Sequence, residues 1–270
     1  MPLFYRITCS EHEPTVKHPA LWIGLACLAV FQGLILFASH AQIASGFEPA
    51  SGGLESDLLQ GMSMFQLWLG IFAYAVTAAV IVAFDYPDRS IQLWLVHGVS
   101  RPLLLGVRIF AILLFSLLII IFAFASLLGL AALSRLLFFG AVDSANLNAS
   151  ALPIAVLRVF WSALPYLALT TLFAIASRSP FFAAGGTIVY ATVIERLLLS
   201  ALPHYYPALM KYLPAVLTGT LQTANLALDR SAPLEAFAIP QTQAVVFIGV
   251  WFVLITLISL VIFTRQDLGG

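Results

Sequence analysis

The chain has 270 residues, 61% of them hydrophobic and only 9% charged, and its formal net charge is zero. This composition lies far outside that of soluble domains, so the sequence excludes an ordinary soluble protein and predicts an integral membrane protein. The balanced charge gives no general attraction for nucleic acid. The two cysteines, Cys9 and Cys27, are too few for a disulfide framework or a zinc site.

Six apolar stretches recur along the chain, each long enough for an α-helix to cross the membrane, which takes about 20 residues. They cover residues 20–42, 63–84, 103–130, 153–177, 182–202 and 242–264. No repeat or Gly/Ser linker separates them, which predicts one all-α transmembrane domain over residues 1–270. Its other segments include a leader at 1–19, a charged loop at 85–102 and a long segment at 203–241.

The distribution of Lys and Arg predicts the orientation of the chain. Basic residues are concentrated in the leader, the 85–102 loop, the turn at 178–181 and the tail, whereas the 43–62 loop has none. Cytoplasmic loops of membrane proteins carry an excess of Lys and Arg. Because six spans put both termini on one side, we expect both termini in the cytoplasm and the bundle in the inner (plasma) membrane.

The charged loop directly follows the second stretch, and its pattern predicts a short amphipathic helix. Asp85 ends the stretch, Pro87 stops its helix, and a new helix begins near Asp88 and ends at Gly98. Its apolar side chains are Ile91, Leu93, Trp94, Leu95 and Val96, and its polar ones are Asp88, Arg89 and Gln92. Such a helix is either an interfacial anchor for the loop or a docking element for a cytosolic partner.

Short motifs in and after this loop follow one another in a recognisable order. GVSR spans Gly98–Arg101, and PLLLGVR continues to Arg108 in the third stretch. ASRSP, YLPAVL and FTRQDL then occur at 176–180, 212–217 and 263–268. In this order the chain resembles the membrane subunits of ABC type-2 transporters, in which an acidic residue, a short helix and a PVSR-like element precede a Leu-rich third span carrying a Lys or Arg. The chain departs from that pattern with Gly98 in place of Pro, Asp85 in place of Glu, and a leader without a clear basic helix.

The resemblance implies a subunit that does no chemistry itself. In that family two such subunits pair, each contacts a cytosolic ATPase, and the loop between spans two and three enters a groove of the ATPase as a coupling helix. On this chain the coupling helix would be Asp88–Ser100, and Arg101 and Arg108 would lie at the lipid headgroups. The residues expected at the ATPase contact are Asp88, Arg89, Leu93, Trp94, Leu95, His97, Ser100 and Arg101.

The motor of such a complex would be another polypeptide, because the sequence contains no G-x-x-x-x-G-K-[ST] loop. We therefore expect no enzymatic activity, metal or cofactor on this chain, with ATP and Mg²⁺ used by the partner ATPase. The other expected partners are a second permease subunit, identical or different, and membrane lipid. No nucleic acid is expected.

The segment at 203–241 is too apolar for a solvated loop, yet prolines interrupt it repeatedly. Members of the family place two short re-entrant or interfacial helices between spans five and six, and the resemblance implies the same arrangement here. A broken seventh span is the alternative.

Few polar residues occur inside the predicted spans, and several of them share one helical face. The second span carries Gln66, Tyr74 and Thr77, and the fourth carries Ser162, Tyr166 and Thr170. Small and hydroxyl residues of this kind favour helix packing, and the alternative is a mildly polar substrate path.

Glu195 and Arg196 form an adjacent charge pair in the fifth stretch. At about 1.5 Å of rise per residue from Pro180, they lie toward the outer end of the span. That depth predicts a structural or snorkelling role, with Arg158 as a neighbour.

Three other functions compete with a permease. A membrane-embedded enzyme would need a nucleophile, base or metal constellation at one depth, and the sequence has no H-E-x-x-H or G-x-S-x-G motif. A self-sufficient secondary transporter would show midplane charges or broken spans in matching halves, and neither is apparent in the sequence. A non-transporting membrane scaffold is the third.

Overall fold

The computed structural model describes residues 19–45, 53–83, 86, 90–142, 151–201, 206–226 and 239–266. Across these ranges the chain forms helices and no strands. The α-helices are α1 Pro19–Ala44, α2 Leu54–Met64, α3 Gly70–Ala83, α4 Ser90–Val96, α5 Arg101–Phe139, α6 Ala151–Ser177, α7 Pro180–Val189, α8 Glu195–Ala201, α9 Pro207–Met210, α10 Pro214–Leu226 and α11 Gln241–Arg265. Two π-helical turns interrupt them, π1 at Phe65–Leu69 and π2 at Tyr190–Ile194.

Within the described ranges, five helical segments are long and apolar enough to cross a membrane. They are Gly24–Ala44, Arg101–Phe139, Leu152–Ser177, Pro180–Ala201 and Gln241–Arg265. Each overlaps one of the predicted stretches, and together they identify an all-α, multi-pass membrane protein.

The second predicted stretch, 63–84, differs from the others because π1 divides it. Its apolar part, α3, has only 14 residues, although the helical run begins earlier, at Leu54. In π1 the backbone N–H of Gly70 donates to the carbonyl oxygen of Phe65, five residues back. A Cβ on Gly70 would lie 2.9 Å from that oxygen and 3.0 Å from the ring of Tyr74. The close approach explains why a glycine occupies this turn.

The third predicted stretch, 103–130, continues further than its apolar core suggested. Helix α5 has 39 residues, a length of about 58 Å, against a hydrocarbon thickness of about 30 Å. The residues after 130 are mostly Leu and Ala, which favour continued helix. The helix ends where Gly140 adopts a left-handed conformation with φ 72°.

Helix α6 lies at the centre of the bundle and is the most deeply buried of the long helices. It packs against α3, α7, α10 and α11. Helix α5 joins α1 to this group, and the outward faces of α1, α7 and α11 expose many large apolar side chains. Such faces are those expected to meet lipid or another membrane subunit.

Helix α4 of the charged loop and helix α10 of the 203–241 segment lie at opposite ends of this bundle. A short helix, α4, forms in the charged loop and is followed by Gly98 with φ 84°, while the predicted start at Asp88 lies outside the described residues. The described part of 203–241 holds the two short helices α9 and α10. Helix α10 has 13 residues, about 20 Å, which is too short to span the membrane by itself.

We expect Gly70→Ala to lower the midpoint of thermal unfolding of the protein in detergent. The added methyl group overpacks π1, and overpacking costs about 1–3 kcal/mol. Gly106→Ala, on the exposed face of α5, is the matched control, because nothing lies within 4 Å of its Cβ position and Ala is about 1 kcal/mol better than Gly in a helix. A midpoint for Gly70→Ala equal to that of Gly106→Ala would contradict the close approach.

Candidate functional site

The α4 loop uses most of its apolar surface to pack against its own bundle. Ile91 and Val99 are 2% and 3% exposed and belong to the main core. Trp94 and Leu95 are half-buried and pack against the same core. Val96 points the other way and is 84% exposed. Among the described side chains of the loop, Val96 and the adjacent His97 are exposed and form its tip.

The predicted ATPase-contacting residues divide between this tip and the interior. Asp88, Arg89 and the side chain of Leu93 lie outside the described residues. His97 and Ser100 are exposed, and Ser100 precedes α5 with its carbonyl oxygen accepting from Leu104 N–H at 3.0 Å. Val96, the most exposed of the α4 side chains that the structure describes, was not among the predicted contacts.

Two arginines tie the α4 end of the bundle together. Arg101 donates through Nη1 to the carbonyl oxygens of Thr264 and Gln266, at 2.7 and 2.8 Å. Arg108 is 1% exposed and donates to the carbonyl oxygen of Val82 at 2.7 Å. The expectation that Arg108 lies at the headgroups is therefore wrong. The last carbonyls of a helix have no intrahelical donor, and Arg108 supplies one to α3 from within the bundle.

A further polar contact extends these ties to α6. Gln266 donates through Nε2 to the carbonyl oxygen of Ile175 at 2.7 Å. Together with the arginine contacts, it links the ends of α3, α5, α6 and α11 next to α4.

The polar residues predicted to share faces of α3 and α6 are enclosed within the chain. Tyr74, Ser162 and Thr170 are buried and Thr77 is half-buried. Ser162 donates to the carbonyl oxygen of Val159, and Thr170 donates to that of Tyr166 and to Thr187 Oγ1 at 2.9 Å. Of these bonds, the one between Thr170 and Thr187 joins two helices, α6 and α7, whereas Tyr74 Oη is buried without a hydrogen-bond partner. In this arrangement the side chains face other helices rather than an open path.

Glu195 is a fully buried carboxylate, which fits the structural role of the two expected alternatives and not snorkelling. It is 0% exposed, and Tyr166 Oη donates to its Oε2 at 2.8 Å. Its Oε1 accepts from the backbone N–H of Ala215 at 3.3 Å. Ala215 lies in the first turn of α10, whose amides lack intrahelical acceptors. Glu195 therefore caps α10 from a neighbouring helix, while Arg196 is exposed.

Side chains of neighbouring helices also form hydrogen bonds with the middle and the C-terminal part of α10. Gln66, in π1, donates to the carbonyl oxygen of Thr218 at 3.2 Å, and Gln222 donates back to that of Ser63 at 3.2 Å. Arg158, which was expected beside Glu195, instead contacts α10 near its C-terminus. Its Nη1 donates to the Ala224 carbonyl oxygen and to Asn225 Oδ1, each at 3.0 Å.

The sequence analysis missed a buried charged network at the end of the bundle remote from α4. Asp57 Oδ2 accepts from His40 Nε2 at 3.1 Å and from the Nε of Arg135. His40 Nδ1 lies 2.8 Å from Ser134 Oγ. All these residues are buried, and they join α1, α2 and α5. The sequence signal that could have indicated this network is the presence of ionisable residues near the ends of the apolar stretches.

Ser134, His40 and Asp57 are connected in the order of a hydrolase triad, but their setting does not suit hydrolysis. Ser134 is 0% exposed and lies inside α5, where the helix uses the backbone N–H groups that an oxyanion hole would need. Ser134 also bonds the carbonyl oxygen of Ala131. The network is a connection between helices. Across the described ranges, no group of three or more His, Cys, Asp or Glu residues is arranged to hold a metal ion.

No protein-family model matches the chain, and neither does any curated protein sequence.

We expect Arg135→Met to lower the free energy of unfolding by about 3–5 kcal/mol, because it leaves Asp57 as a buried charge without its guanidinium. The double variant Asp57→Asn/Arg135→Met removes both charges and is expected to recover part of that loss. Denaturant titration in detergent, followed by near-ultraviolet circular dichroism, measures both. Arg196→Met, an exposed site, is the control. If Arg135→Met unfolds like Arg196→Met, the network does not stabilise the bundle.

We expect Glu195→Ala to loosen α10 in particular. Without the carboxylate cap, the backbone amides of 215–218 should exchange hydrogen about ten-fold faster, since one lost bond to a charged group costs about 1.5–3 kcal/mol. Glu195→Gln, which keeps an acceptor oxygen, should show a smaller change. Hydrogen exchange read by mass spectrometry in lipid nanodiscs makes the comparison, and α5 peptides provide the internal control. Equal exchange in the wild type and in Glu195→Ala would refute the capping role.

Proposed function

We propose that the chain is the membrane permease subunit of an ATP-driven ABC transporter, acting as an exporter in a dimer with a second permease subunit. Two cytosolic ATPase subunits would complete the assembly. The observation that carries this proposal is the position of α4. It is a short helix between the second and third apolar segments, packed against the bundle on one side and exposed at its tip.

The contacts around α4 suit the transmission of force. Ile91 and Val99 embed the loop in the core, and Arg101 and Arg108 connect the start of α5 to α11 and α3. A push on α4 would therefore reach several membrane-crossing helices together, rather than bending a loose loop. That is the property needed by an element that converts ATPase closure into helix tilting.

The exposed tip suits a protein partner. Val96 and His97 are exposed, and Arg101 and Arg178 lie near the same end of the bundle. If this end is cytoplasmic, as the basic residues favour, an ATPase groove can enclose the tip. Arg101 would then stabilise the bundle next to the docking site rather than contact the ATPase, because its guanidinium already donates to carbonyl oxygens at the end of α11. ATP and Mg²⁺ would be bound by the partner alone.

The enclosed polar residues on α3 and α6 favour a cargo path between two permease subunits rather than through one. Gln66, Tyr166 and Thr170 are bonded within the chain, and the free helix faces are apolar. Such faces favour amphipathic or lipid-like cargo over ions.

Glu195 favours a second candidate, a self-sufficient secondary transporter. Buried carboxylates within membrane helices often carry protons or cations. Here, however, the two oxygens of Glu195 accept from Tyr166 and from Ala215 N–H, which suits a cap better than an exchangeable ion site. A non-transporting scaffold would use the same bundle without a motor.

The test is the effect of Val96→Asp on association with an ATPase. The tagged chain is expressed in its native host, purified in mild detergent, and its stoichiometric partners are identified by mass spectrometry. We expect a cytosolic polypeptide with a P-loop, and about a ten-fold lower yield of it with Val96→Asp, as for a central contact residue.

Val142→Asp is the matched control, because it places the same charge on an exposed valine beyond the far end of α5. Trp94→Ala is less informative than Val96→Asp, since Trp94 also packs against the core. Reproducible absence of a P-loop partner from the intact wild-type bundle would overturn the proposal. Equal recovery with Val96→Asp and Val142→Asp would reject α4 as the docking element.

A further inference from the structure

A cavity of about 150 Å³ lies between α1, α2, π1 and α5, beside the charged network and remote from α4. Its apolar wall includes Leu36, Phe65 and Leu127, and its polar wall includes Ser39 and Asp57. A cavity of about this size accommodates a benzene-sized group. It can therefore hold the head and first carbons of an amphipathic molecule, but not a whole lipid.

The polar wall of the cavity includes a carboxylate oxygen that accepts no hydrogen bond from the described residues. Asp57 is 3% exposed, and its Oδ2 is taken by His40 and Arg135. Among the residues that the structure describes, none donates a hydrogen bond to its Oδ1. Because Asp57 lines the cavity, a hydrogen-bond donor inside the cavity can reach this oxygen, and a largely buried carboxylate gains from such a donor.

The other polar groups of the wall do not supply that donor. Gln32 donates through Nε2 to the Ala123 carbonyl oxygen and accepts from Ser126 through Oε1. Ser39 donates to the carbonyl oxygen of Leu36 in its own helix. Both side chains are therefore engaged within the protein. Gln60, the remaining polar residue of the wall, is exposed, and its amide makes no hydrogen bond to Asp57 among the described residues. Asp57 Oδ1 is thus open to a donor carried by an occupant of the cavity.

The sides of the cavity continue onto the outward apolar surface. Ile35 of α1 and Met64 of α2 both line the cavity, and each is 40% exposed. An alkyl chain whose head lies at Asp57 can thus leave between α1 and α2 and remain in contact with apolar side chains.

We propose that this cavity binds an alkyl amphiphile whose head carries a hydrogen-bond donor, a hydroxyl or an ammonium, directed at Asp57 Oδ1. A carboxylate head is excluded, because it would place a second negative charge beside Asp57. The site requires no ATPase and is independent of the permease proposal. A membrane lipid and a free amphiphile both present such a donor, and the experiment below distinguishes these two sources.

Photolabelling of the purified full chain in phosphatidylcholine nanodiscs tests the site, because the choline head has no N–H or O–H donor. The probes are decanol, decylamine and decyl methyl ether, each with a diazirine on the alkyl chain. We expect decanol and decylamine to label peptides from 32–43 and 57–69 about ten-fold more than the ether does, because only they donate to the carboxylate. Equal labelling of these peptides by the ether would overturn the proposal.

Ser39→Leu fills the cavity without altering the His40, Asp57 and Arg135 contacts, and Ala38→Leu adds the same bulk on the exposed side of α1. We expect Ser39→Leu to lose the decanol labelling and Ala38→Leu to keep it. If Ser39→Leu fails to fold, Ile43→Trp blocks the cavity from another wall residue. Labelling that persists in a folded blocked variant would also overturn the site.

Adding phosphatidylethanolamine to the nanodiscs identifies the source of the ligand. Loss of decanol labelling supports a lipid headgroup at Asp57, because the ethanolamine ammonium is a donor. Undiminished labelling supports a free amphiphile in the same site.

Discussion

Backbone groups inside a membrane must find partners within the protein, because hydrocarbon offers none. This bundle meets that constraint with long polar side chains that reach from one helix to the backbone of another. Arg108 bonds the end of α3, Glu195 the start of α10, and Arg158 the end of α10. Each contact fixes a helix end where regular hydrogen bonding stops. These three long polar side chains therefore act at the ends of helices.

The same constraint connects the two ends of the molecule. At one end the arginine contacts bind α3, α5 and α11 around the α4 loop. At the other, α10 is held against π1 by Gln66 and against π2 by Glu195, the residue that immediately follows that turn. Helix α3 extends from π1 to the α4 loop. A displacement of α4 along α3 would thus reach the element that closes the opposite end of the bundle.

The sequence predicted what depends on local composition. Long apolar runs identified the membrane-crossing helices, and Gly98 marked the end of the short helix α4. It did not predict contacts that depend on distant residues. The role of Glu195 was predicted from its depth along one helix, but its burial depends on contacts with Tyr166 and α10, which are distant in sequence. Arg108 resembled a surface anchor because nothing near it in sequence showed that the end of α3 lay within reach. The π turns left no pattern that distinguishes them from α-helix.

At a π turn, the number of residues in a helix can change without rotating the two flanking helical segments against each other. A π turn accommodates one residue more than an α-helical turn between the same flanking faces. Removing one residue within Phe65–Leu69 would therefore shorten the helix while leaving Asp57 directed toward α5 and Tyr74 toward the core. The same deletion in α6, which has no such turn, would rotate one half of that helix by about 100° against the other. Loss of one residue should thus be tolerated at π1 and π2 and rejected in the central helix, so natural variation in helix length is expected at the two turns beside α10.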